Sequence, residues 1–131
     1  MVEETVSSPD VRIRFGVIGD AGELRGEMAT PLAVVLNELM QNAVDHAFPE
    51  PVADARIDVK LSRADGQVAV EVRDNGVGLA DAFTLEGSRG LGLSIVQALV
   101  TSELQGSIEM QDDEGTRVRV RVPVAMPRVE L

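Results

Sequence analysis

Apolar and polar positions alternate or repeat along most of the chain, and the period changes from segment to segment. Val11, Ile13, Phe15 and Val17 alternate with Arg12, Arg14 and Gly16, the period of a half-buried strand. Gly19-Asp20-Ala21-Gly22 then turns the chain. Leu32, Val35, Leu36, Leu39, Met40 and Ala43 recur at helical spacing, so a helix is expected to start at Thr30-Pro31, a hydroxyl cap followed by proline at the first helical position. Pro49 and Pro51 end it. Ile57, Val59 and Leu61, then Val68, Val70 and Val72, alternate around Asp65-Gly66, which predicts a hairpin.

A glycine-rich stretch from Asp74 to Gly92 leads into a second predicted helix. Its apolar positions are Leu91, Ile95, Val96, Leu99, Val100 and Leu104, and Gly106 is its expected C′ residue. A last hairpin joins Ser107–Gln111 to a strand carrying Val118, Val120 and Val122, through Asp112-Asp113-Glu114-Gly115. Strands segregated from helices predict an α+β, two-layer α/β sandwich with a mixed, mostly antiparallel sheet packed on helices. Residues 1–10 read as a frayed, flexible lead-in, 11–123 as the domain and 124–131 as a C-terminal tail.

Composition narrows the chemistry. The 131 residues (14.0 kDa) suffice for one domain with a core. Cysteine is absent and His46 is the only histidine, which excludes disulfides, thiol catalysis and a multi-histidine metal site. A formal charge of −10 with no Trp or Tyr argues against nucleic-acid binding. No apolar run approaches the roughly 18 residues of a membrane span, and Met1–Glu4 lacks the basic start of a signal peptide. A cytoplasmic protein is expected. Arg12, Arg14, Arg117, Arg119 and Arg121 alternate with apolar residues and read as a solvated outer sheet face.

Three features carry candidate chemistry. On the first helix, Asn37, Glu38, Gln41, Asn42, Asp45 and His46 form a polar stripe in which Glu38 and Asn42 share one face. A carboxylate and an amide oxygen so placed suit a hard cation and a nucleophile, although a plain solvated face has the same pattern. Asp74 closes a strand and is followed by Asn75-Gly76-Val77-Gly78, where a flat ligand can approach the backbone; ordinary turn chemistry also reads this way. Gly87-Ser88-Arg89-Gly90-Leu91-Gly92-Leu93 runs into a helix start, whose free N–H groups suit phosphate oxygens. It is neither a Walker loop nor a dinucleotide fingerprint.

Taken in order, Asn37-Glu38-Leu39 to Asn42, Asp74 to Gly78, Gly90 to Leu93 and Gly115-Thr116 resemble the ATPase domain of two-component sensor histidine kinases. That family shares its fold with gyrase, the heat-shock 90 chaperones and the MutL ATPases. The resemblance implies ATP and Mg²⁺ as ligands. It assigns Asn42 to Mg²⁺ and Glu38 to catalysis, polarising the acceptor. Asp74 would read the adenine amino group, with Thr116 supporting it through a water. Gly76 and Gly78 would form the first glycine box, with Arg89, Gly90, Leu91, Gly92 and Leu93 at the phosphates. Ala43, Val77, Leu93 and Val120 would wall the base.

The lid, residues 79–89, is short and without a clear phenylalanine box beyond Phe83, which resembles the HWE-like subgroup and actinobacterial cytosolic sensor kinases. Asp45 stands where many of these kinases carry a basic residue, and His46 reads as a capping or packing residue rather than the phosphoacceptor. The implied function is transfer of the ATP γ-phosphate to a histidine on a dimerisation domain absent from this chain. The implied partners are that domain and a response regulator; the isolated domain is expected to be a monomer and the full-length kinase a homodimer. An anti-sigma-factor-type serine kinase and a non-catalytic nucleotide-binding module are the alternatives.

Overall fold

The computed structural model describes residues 2–7, 12–46, 54–77, 93–112 and 114–124. The hairpin-rich pattern produces a six-stranded sheet in the order β1-β2-β3-β4-β6-β5, formed by β1 (Val2–Ser7), β2 (Arg12–Gly19), β3 (Arg56–Ala64), β4 (Gln67–Asp74), β5 (Ser107–Asp112) and β6 (Thr116–Pro123). All pairings are antiparallel except β2 with β3. A parallel pair needs a long crossover, and α1 (Gly26–His46) supplies it. α2 (Leu93–Ala98) follows the glycine-rich stretch and continues into a π-helical turn, Leu99–Glu103.

The period-two residues of the strands meet the helices on one side. Ile57, Val59, Val68, Val70, Val120 and Val122 are at most 1% exposed and pack with Val35 of α1 and Val96 and Val100 of α2 and its extension. Each such side chain contributes about 1.5–3 kcal/mol relative to exposure. The expected two-layer α+β sandwich is the observed architecture. Asp65 and Gly66 both take positive φ (54° and 74°), which a two-residue hairpin turn with the strand twist requires.

Four expectations change. Val2–Ser7 is a strand rather than a frayed lead-in: its backbone pairs with β2 from Val2↔Val17 to Ser7↔Arg12, main-chain bonding that no side-chain period announces. The first helix starts at Gly26, one turn before Thr30-Pro31, and the N–H groups of Met28 and Ala29 donate to the Arg25 carbonyl (2.9 and 2.7 Å). Pro31 therefore sits inside the helix and removes one backbone bond there. In α2, Ile95 is 55% exposed rather than in the core. Finally, Gln105, not Gly106, adopts the left-handed conformation after the helix (φ 53°). The tail at 125–131 lies outside the described residues.

The other face of the sheet is polar. Glu71 lies 3.6 Å from Arg117 and 3.7 Å from Arg119, and Arg119 also reaches Glu109 at 3.7 Å. Among the described residues, no helix is long and apolar enough to cross a membrane.

Candidate functional site

Asp74 ends β4 at the edge of the core and, at 6% exposure, is the buried charged side chain among the described residues. Its parity puts it there: Val68, Val70 and Val72 face the helices, and residue 74 is next on that face. Two backbone donors hold it. The N–H groups of Gly76 (2.9 Å) and Thr116 (3.1 Å) both donate to Oδ1, which leaves Oδ2 out of either bond. Burial pushes the carboxyl above its ordinary value of 3.8, and the two N–H bonds pull the other way.

This arrangement is stapled by two neighbours, Asn75 and Gly115, that belong to the motifs but have no individual role assigned from sequence. Asn75, read from sequence only as a turn residue, accepts from the Arg56 N–H (2.8 Å) and donates to the Asp54 carbonyl (2.7 Å). Its own N–H donates to the Arg56 carbonyl at 3.2 Å. Asn75 thus ties the end of β4 to the start of β3. Gly115 is the second: a Cβ there would lie 2.0 Å from the Asp74 carbonyl oxygen, and its φ is +132°. Only glycine lets β6 run close enough for the Thr116 N–H to reach Asp74. The signal was Asp-Asn-Gly and Gly-Thr, but the contact across 42 residues is tertiary.

The polar stripe of α1 splits between solvent and interior. Asn37, Gln41 and Asp45 are exposed, and Gln41 donates to Asp45 at 3.0 Å. Glu38 is half-buried. Asn42 is also half-buried, but its Nδ2 is buried with no hydrogen-bond partner among the described residues. A buried amide left unpaired costs about 1–3 kcal/mol, so this atom calls for a partner beyond the described residues. An amide flip presents Oδ1 there instead of Nδ2.

The structure therefore joins Asp74, Gly76 and Thr116 by hydrogen bonds, while Glu38 and Asn42 stand on α1, which packs against β4. Thr116 supports Asp74 directly through its backbone. Of the expected base walls, Ala43 is 8% exposed and Leu93 2%, Val77 is open to solvent, and Val120 lies wholly within the core at 0%. Gly78, Arg89, Gly90, Leu91 and Gly92 lie outside the described residues, as does the whole lid with Phe83; the His46 side chain does too. A hollow of about 120 Å³ beside Asp74, lined in part by Arg56, Asp58 and Asn75, is too small for a nucleotide. Among the described residues, no three His, Asp or Glu side chains are placed to hold a metal ion.

Residues 27–126 match the family described as histidine kinase-, DNA gyrase B-, and HSP90-like ATPase. The sensor histidine kinase PdtaS of Mycobacterium tuberculosis is 44% identical over 121 residues, covering 91% of this chain and 24% of the relative. The chain thus spans about a quarter of the length of that curated relative. Among solved structures, the blue-light activated histidine kinase of Erythrobacter litoralis EL346 superposes with a TM-score of 0.78 at 27% identity, over 86% of this chain and 35% of that one. The catalytic domain of histidine kinase ThkA gives 0.67 at 21% identity, covering 88% of this chain and 78% of its own, a likeness of fold.

Proposed function

Because the chain belongs to the histidine kinase-, DNA gyrase B-, and HSP90-like ATPase family, we infer that it is the ATP-binding catalytic domain of a sensor histidine kinase. In this reading the catalytic domain runs over residues 11–123, and the pairing of β1 with β2 favours adding Val2–Ser7 to it. The reading rests above all on Asp74, a carboxylate sunk at the core edge, held through one oxygen by two backbone N–H groups. A carboxylate fixed in this way accepts a hydrogen bond from the adenine amino group through its other oxygen without reorganising. Gly76, Gly78 and the Arg89–Leu93 segment flank the nucleotide in this reading, the latter at the phosphates.

Asn42 fits Mg²⁺. Magnesium demands few protein ligands because it retains waters and binds substrate phosphates. The Asn42 amide, whose Nδ2 has no partner among the described residues, would therefore contribute its oxygen to the ion, with no acidic cluster among those residues to add to it. When bound, the ion neutralises phosphate charge during transfer. Glu38, one turn before Asn42, orients the incoming nucleophile. The acceptor is a histidine on a dimerisation domain outside this chain, and the phosphoryl group passes on to a response regulator in the cytoplasm. Sensor histidine kinases among the relatives favour this acceptor over serine.

Calorimetric titration with ATP, with and without Mg²⁺, on the wild type and Asp74→Asn tests the reading. Saturable binding by the wild type that strengthens with Mg²⁺ and drops at least tenfold in the folded variant is expected. Equal binding by both proteins, or none by the folded wild type, overturns it.

A further inference from the structure

The face of the sheet turned away from α1 and α2 gathers the basic residues of an acidic protein. Arg117, Arg119 and Arg121 of β6 share it with Arg73 of β4, with Arg56 and Lys60 of β3, and with Arg14 of β2. They are more than half of the chain's 12 basic residues, although its formal charge is −10. Asp58, Glu71 and Glu109 oppose them on the central and β5 side, Glu3 of β1 stands in register with Gly16 of β2, and Glu114 lies beside Arg56 and Arg73 at one end. The remainder of the molecule is correspondingly more acidic, so this is a local reversal of the overall field.

We propose that this face is a docking surface for an acidic helix of another protein domain. Arginines at alternate positions of β6 stand about 7 Å apart along the strand. Carboxylates at i and i+4 of a helix rise about 6 Å and lie on one side, so two turns of such a helix match that row. In the middle of the face, Ala69 lies in register with Ser62 of β3 and Arg121 of β6. Its short side chain leaves a hollow of about 320 Å³ lined by Lys60, Ser62, Ala69, Glu71, Arg119 and Arg121, which receives an incoming carboxylate between cations. Ile18, in register with Lys60 and 51% exposed, gives an apolar anchor at the rim.

Other occupants fit less well. Glu71 and Glu109 interleave with the arginines at 3.6–3.7 Å, so a uniformly phosphate-coated surface, membrane or nucleic acid, meets repulsion at each of them. A protein offsets them with its own mixed charges. No Trp or Tyr is available for base stacking. Docking the acidic side of a second copy would be heterologous and would give a ring or a filament rather than a two-fold pair. The hollow at Ala69 is independent of the nucleotide reading, because it shares no lining residue with the hollow beside Asp74.

The test titrates the full 131-residue chain into a fluorescein-labelled, alanine-based helical peptide with glutamates at i, i+4 spacing. The same peptide with glutamine at those positions, vesicles with about 30% phosphatidylserine and a single-stranded DNA oligonucleotide are run beside it. Saturable, salt-sensitive binding of the glutamate peptide is expected, with about tenfold loss in the Lys60→Glu/Arg121→Glu pair and unchanged ATP affinity. Lys60→Gln/Arg121→Gln, which adds no new charge, gives a smaller loss in the same direction. Absence of binding, binding indifferent to both pairs, or tighter binding of vesicles or DNA than of the peptide overturns the proposal.

Discussion

Opposing influences meet at the Asp74 carboxyl: burial raises its pKa above 3.8, while the Gly76 and Thr116 N–H groups lower it. Burial prevails, so the native protein holds this proton to a higher pH than the unfolded chain does. Between 3.8 and the raised native value, folding takes up a proton; this group's contribution is therefore full below 3.8 and is lost as pH rises through the native pKa. Urea unfolding at a series of pH values rising from 3.8 is expected to show that decline in the wild type and its removal in Asp74→Asn. An unchanged slope in the variant would count against the assignment. Gly115→Ala acts at the same point by sterics. With φ +132° and a Cβ 2.0 Å from the Asp74 carbonyl oxygen, it is expected to cost about 2 kcal/mol or more in denaturant unfolding. It also draws the Thr116 N–H from Asp74, so calorimetry is expected to show weaker ATP binding in the fraction that remains folded.

Among the elements, the end of α2 departs furthest from its pattern. The π turn makes Leu104 N–H donate to the Leu99 carbonyl (2.9 Å), and Gly106 N–H donates to the Val100 carbonyl (2.7 Å). The widened turn puts Gln105 in the left-handed region, where a Cβ costs about 1 kcal/mol. Gln105→Gly is therefore expected to raise stability by up to about 1 kcal/mol, read from the urea midpoint at constant slope. Gly106 is glycine for another reason: a Cβ would meet the Arg121 carbonyl oxygen at 2.2 Å. The glycine at the helix end was legible in the sequence. Its reason was not, because a neighbouring strand rather than its own backbone angle excludes a side chain. The early start of α1 is similar, since Thr30-Pro31 is sound local capping chemistry that tertiary packing overrode by one turn.

At the scale of the whole molecule, the chain spans about a quarter of the length of its curated relative, and the proposed phosphotransfer takes its acceptor from another domain. Incubated alone with Mg·ATP, the chain is expected to bind nucleotide without acquiring acid-labile phosphate. Adding a dimerisation domain with its phosphoacceptor histidine in trans is expected to yield acid-labile phosphate on that domain, and Glu38→Gln to reduce the rate about 10²–10⁴-fold. Radiolabel that survives acid would instead indicate serine. Net charge matters here too: a formal charge of −10 repels a polyphosphate at long range, so the proposed ATP binding draws on local N–H groups and on Mg²⁺.

The alternating valines, the Asp65-Gly66 turn and the order of motifs were enough to determine the α+β class, the two hairpins and the position of Asp74, because period and turn chemistry are local properties of the chain. The pairing of β1, the burial of the Asn42 amide and the Gly115 approach were decided only by the tertiary structure. So was the gathering of the arginines on one face. Each depends on residues far apart in sequence, and no local period encodes which strand lies beside which.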